Sequence, residues 1–156
     1  RTAKIADNLR EARNTLTQRM FAYYSDSLPT MGITKMETSR MKEGDISGLA
    51  VFQDPYGYIA VKRERNRNYI VMVNNGRTVD STLFKGSTIY LAANACYGTG
   101  KATFAYSADN KTFKTLGEEL KMRFNLSIFT GNKFCLFNYA TRQLGGYVDV
   151  DWFRMQ

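Results

Sequence analysis

The chain has 156 residues, enough for one domain with a single core, and its 44% hydrophobic and 23% charged residues suit a soluble globular protein. It contains no histidine and only two cysteines, Cys96 and Cys135. That excludes Ser-His-Asp and Cys-His nucleophiles, a His-ligated or four-Cys metal site, and a disulfide-stapled scaffold. The net charge of +8 invites a nucleic-acid reading, which the distribution of charge argues against. The densest basic stretch, Lys62-Arg63-Glu64-Arg65-Asn66-Arg67-Asn68, is interrupted by an acid and sits where a polar turn is expected. No nucleic-acid-binding motif accompanies it. No apolar run approaches the roughly 18 residues of a membrane span, so no membrane partner is expected. No cleavable leader is visible, and a first residue of Arg1 rather than Met suggests part of a longer polypeptide.

Period-2 alternation dominates from residue 17 onward and predicts strands at 16–25, 31–39, 47–53, 58–63 and 69–73. Gly44-Asp45 and Asp54-Pro55-Tyr56-Gly57 mark turns between the early strands. Asn74-Asn75-Gly76 predicts a tight hairpin, because Asn-Gly tolerates positive φ at both central positions. Further strands are expected at 78–83, 87–96, 101–107, 123–129, 133–138 and 147–153. Their spacing of about 8–12 residues is that of an all-β sandwich or barrel. Two antiparallel sheets packed about 10 Å apart would bury the alternating apolar faces. Ser87–Cys96 is the most continuously apolar run and is expected to be a central strand covered on both sides.

Two segments resist alternation. Ile5, Leu9, Ala12 and Leu16 recur at near-helical spacing, so the N-terminal stretch could be an amphipathic helix. Residues 117–120 could form one turn of helix. Cys96 and Cys135 lie in strand-like runs and are expected to be small buried hydrophobes.

Five segments, in order, carry a resemblance: ARNTLTQR (12–19), MKEGDISGLAVF (41–52), YGYIAVK (56–62), FAYSADNKTF (104–113) and YVDVDWFR (147–154). Together, from about Leu9 to the end, they resemble the C-terminal concanavalin A-like domain of glycoside hydrolase family 43 β-xylosidases and α-arabinofuranosidases. The resemblance implies an all-β, two-sheet antiparallel sandwich of jelly-roll type. It implies an accessory domain, without catalysis of its own, that braces a catalytic β-propeller of the same polypeptide in xylan or arabinan breakdown. A periplasmic or extracellular setting follows from the same source. That resemblance further implies that residues 1–13 are an irregular lead-in to a strand instead of a helix. In that family the domain begins earlier, with strands carrying a Trp-rich segment, so this chain is expected to lack its N-terminal strands and to expose a sheet edge.

The resemblance also points to a substrate-pocket loop. In the xylosidase relatives a loop of FTG-then-Phe character reaches the propeller, and Phe129-Thr130-Gly131-Asn132-Lys133-Phe134 is the matching stretch. Phe129 is the matching ring and Phe134 its neighbour, although each could instead be a strand-end core residue. A second function, carbohydrate binding in its own right, would draw on Tyr56, Tyr58, Tyr97, Trp152 and Asn138, since sugar C–H faces pack on aromatic rings. If Phe153 faces the core, Trp152 points away from it. Asp149 and Asp151, two apart on one strand, are weak candidates for a catalytic carboxylate pair. They are better candidates for a structural Ca²⁺ site, because Ca²⁺ takes 6–8 oxygens and related jelly rolls use a last-strand carboxylate.

Overall fold

The structure, a computed structural model, describes residues 1–20, 28–123 and 131–156. Among the described residues twelve strands form two antiparallel sheets. The first sheet runs β1 (Thr15–Arg19), β11 (Lys133–Ala140), β3 (Asp45–Phe52), β4 (Gly57–Glu64), β5 (Arg67–Asn74), β6 (Arg77–Phe84). The second runs β10 (Leu120–Lys121), β8 (Lys101–Ser107), β7 (Thr88–Cys96), β2 (Thr30–Glu37), β12 (Asp149–Met155), with the short β9 (Lys114–Thr115) also on β8. The expected sandwich is what forms. The strand reading over 16–25 is met as far as Arg19, and residues 21–27 lie outside the described residues, as does the reading over 123–129 beyond Arg123.

The alternation explains the layers. Leu49, Val51, Ile59, Val61, Ile70 and Met72 point from the first sheet into the sandwich. Ile89, Leu91, Ala93, Phe104 and Met36 meet them from the second, where β7 packs across β3 and β4. Burial of this apolar set, at about 25 cal/mol per Å², is the main force holding the sheets together.

The strand enclosed on both faces is β3, where every residue from Asp45 to Val51 is buried. Ser87–Cys96 does form the central β7, but Tyr90, Asn94 and Cys96 on its outer face are only half-buried, which corrects the expectation. The cover on β3 comes from the N-terminal segment. Asn8 caps a single 3₁₀ turn at Leu9–Glu11, accepting from the amides of Arg10 and Glu11. Ala6 and Leu9 bury against the outer face of the first sheet with Tyr56, Tyr58, Phe137 and Tyr139. Thr2 and Ala6 tie this segment down by donating backbone N–H hydrogen bonds to the carbonyls of Gly146 and Ala140.

The turns follow their chemistry. Asn75 (φ +48°) and Gly76 (φ +88°) occupy the two central hairpin positions, as the Asn-Gly pair predicts. Residues 117–120 are not a helical turn: Gly117 has φ +80° and leads into β10, which pairs with β8. Cys135 is buried, and burial pushes its thiol up to about 12. Cys96 departs from expectation. It is half-buried, and hydrogen bonds from Thr99 hold its thiol below the usual value.

Candidate functional site: the open flank of the sandwich

On one flank the sandwich ends in two edge strands, β1 in one sheet and β12 in the other, each paired on one side only among the described residues. Between them lies a groove of about 520 Å³. Its apolar lining includes Leu16 of β1, Leu136 of β11, and Val148, Val150 and Phe153 at β12. Leu16 sits opposite Leu136 in the register, so it faces the inner layer, yet it is 70% exposed, and no strand among the described residues closes the flank over it. Asn138 lines the same groove with both amide atoms buried and unpartnered. An unpaired buried amide costs about 1–3 kcal/mol, so this flank is not built as a finished surface.

The residues singled out from sequence scatter around this flank. Phe134 is a core residue, 1% exposed, edge-on to Phe153 and packed where Gly32 leaves room. It does not reach outward, which corrects the pocket-loop expectation for this ring. Phe129 lies outside the described residues. Tyr58 is likewise buried, its hydroxyl 3.3 Å from that of Tyr139 and its ring edge-on to Phe137, so it offers no sugar contact. Burial pushes its phenol well above the ordinary tyrosine value. Tyr56 is buried beneath the Arg10 guanidinium, and Tyr97 is half-buried with its hydroxyl donating to the Asn132 carbonyl.

Trp152 sits on the outer face of the second sheet, packed with Ile33, Ala92 and Phe113, while Phe153 packs on the core. The expected divergence of the two side chains is therefore found. The guanidinium of Arg154 lies 4.4 Å over the indole and Tyr90 flanks it at 5.9 Å, so the ring is not a bare stacking surface.

Asp149 and Asp151 do not act as a pair. The β12 register shifts between Val150 and Trp152, placing Asp151 at the irregularity. Its carboxylate takes the Lys35 ammonium at 2.5 Å, and Asp149 stands opposite Glu37. Among the described residues no three His, Cys, Asp or Glu side chains converge as a metal-ligand group. Of the two carboxylates proposed for Ca²⁺, that of Asp151 is already held by a lysine. Glu118 and Glu119 beside a smaller cleft were not flagged by spacing. Each is held by a cation, Arg77 and Lys101 respectively.

A two-sheet jelly roll with an irregular lead-in folded over its outer face is the architecture of the concanavalin A-like domains. The chain belongs to the family of β-xylosidase C-terminal concanavalin A-like domains, whose profile matches residues 2–156, several residues ahead of the Leu9 start read from the motifs. It is similar to the bifunctional GH43-CE protein of Bacteroides eggerthii, with 35% identity and a TM-score of 0.92 over 99% of this chain and 20% of that one. It is also similar to an engineered GH43 glycoside hydrolase displaying endo-xylanase and exo-arabinofuranosidase activity, with 32% identity and a TM-score of 0.91 over 99% of this chain and 33% of that one. A β-xylosidase of Formosa agariphila is 24% identical over 144 residues, 91% of this chain and 23% of that protein. The chain thus spans between a fifth and a third of the length of these three relatives.

Proposed function

We infer that this domain is a non-catalytic brace in a family 43 glycosidase acting on xylan- or arabinan-derived saccharides, packed against the catalytic domain of the same polypeptide. The open flank carries the reading. Leu16 and Val150 are large apolar side chains left in water beside two free strand edges, and Asn138 waits behind them without partners. Free edges and exposed apolar side chains are what a protein covers. Most of the length of the related proteins lies outside this region, so a covering partner of the same chain is at hand.

The loop bearing Phe129 supplies a finer role. Phe134 is committed to the core, and the resemblance of the 129–134 stretch to the pocket loop of the xylosidase relatives supports assigning Phe129 the role of closing the catalytic pocket.

The test uses the full-length protein. Phe129→Ala should raise KM for an aryl xyloside with the fold intact, and the 156-residue chain alone should not hydrolyse it. Hydrolysis by this chain alone, lost when one of its own carboxylates is removed, would overturn the reading.

A further inference from the structure

At one end of the sandwich a groove of about 940 Å³ lies between the β4–β5 turn and the segment joining β6 to β7. Arg63, Arg67 and Lys85 line it, together with Asn68, Phe84 and Ser39. None of the three cations forms an ion pair among the described residues. The neighbouring carboxylates are engaged elsewhere. Glu43 accepts from the amides of Arg65 and Asn66 and from Arg142. Glu64 pairs with Lys62 and Arg142. Glu37 accepts from the Ser39 amide and the Ser87 and Thr88 hydroxyls. Positive charge therefore accumulates in a concave place instead of being spread over a surface.

The groove is also held in shape. Arg65 and Asn66 both have positive φ, forming a tight turn that the Glu43 carboxylate clamps from beneath. Asn68, 8% exposed, accepts from the Arg63 guanidinium at 3.2 Å and fixes its direction. Phe84 stands opposite Asn68 in the register and forms an apolar wall.

We propose that this groove binds a carboxylate-bearing sugar, a uronic acid substituent on a saccharide chain. A guanidinium fork matches the two oxygens of a planar carboxylate, with charge-assisted bonds about twice as strong as neutral ones. Phe84 offers a face for the C–H side of a pyranose ring, and Asn68 and Ser39 offer amide and hydroxyl partners for its hydroxyls. A nucleic-acid strand fits the same charge less well, because the cations converge in one groove and do not form a track along a phosphate backbone. The proposal rests on the saccharide reading above and gives the domain a means of holding acidic branches of the polymer.

The 156-residue chain is titrated calorimetrically with xylotetraose carrying one glucuronic acid, with neutral xylotetraose, and with a single-stranded oligonucleotide. The acidic sugar should bind at least about tenfold more tightly than the neutral one, and Arg67→Gln and Lys85→Gln should each cost about tenfold, the scale of one lost charge-assisted bond. Melting temperatures of both variants should match the parent, since both side chains are exposed. Equal affinity for the two sugars, tighter binding of the oligonucleotide, or no binding of any of the three overturns the proposal. None of these outcomes touches the bracing test, which reads KM and hydrolysis in the full-length protein.

Discussion

Tyr58 on β4 and Tyr139 on β11 place their hydroxyls 3.3 Å apart across an intervening strand, β3, whose outer face carries Gly48 and Ala50 there. Small residues on the middle strand let large rings from both sides meet above it, and Leu9 of the lead-in helps to seal them. Replacing Tyr58 with Phe leaves the Tyr139 hydroxyl buried and unpaired. The expected loss is about 1–2 kcal/mol. The double variant should cost less than the two single losses summed, which a double-mutant cycle by urea unfolding measures.

Gly48 has a stricter reason to be glycine. A Cβ there would meet the Ile59 carbonyl oxygen at 2.2 Å and the Ala60 backbone at 2.6 Å. Neither atom can yield without moving β4. Gly48→Ala should therefore cost about 3 kcal/mol despite adding one methyl. A denaturation midpoint equal to that of the parent would contradict this.

Two carboxyls tie stability to pH in opposite senses. Asp109 accepts from the amides of Lys111 and Thr112 and from the Ser107 hydroxyl, which hold it at about 2, below its unfolded value near 3.8. Its contribution is present above 3.8 and is lost as pH falls toward 2. Asp45 is the reverse. Burial raises its carboxyl above 3.8, so its contribution is full below that value and is lost as pH rises through the raised one. Melting temperature against pH should lose part of its acid limb in Asp109→Asn. In Asp45→Asn it should lose part of the decline on the less acidic side.

The open flank gives a prediction that separates the domain's own stability from its coupling. Leu16→Asp in the 156-residue chain should change stability by no more than about 0.5 kcal/mol, because the side chain is already in water. In the full-length protein the same change should lower the melting temperature and separate the unfolding of the two parts. Identical shifts in both settings would count against the flank as the covered face.

Much of the architecture was legible in the residues. Alternation located most described strands, Asn75-Gly76 fixed a hairpin, and five ordered segments carried the family resemblance. The two-sided cover of β3 was not legible, because it depends on residues 1–14 folding back over a strand more than thirty positions away. The divergence of Trp152 from Phe153 followed from strand geometry, but the Arg154 cap on the indole did not. Asp149 and Asp151 looked like neighbours on one face until the irregularity in β12 and the reach of Lys35 separated their roles. Phe134 read as either loop or core, and only the room beside Gly32 and Phe153 decides for the core.

The sequence by itself determined that this chain is all-β, because side-chain direction along a strand has a period of two and turn residues act locally. The kind of sandwich came from the resemblance of five ordered segments to a known family. Tertiary structure alone decided which flank stays open and which charges face one another. Both depend on strand order and register between segments far apart in the chain. The cations Arg63 and Lys85 share a groove because β4 and the β6–β7 connection end at the same place, a fact no spacing in the sequence encodes.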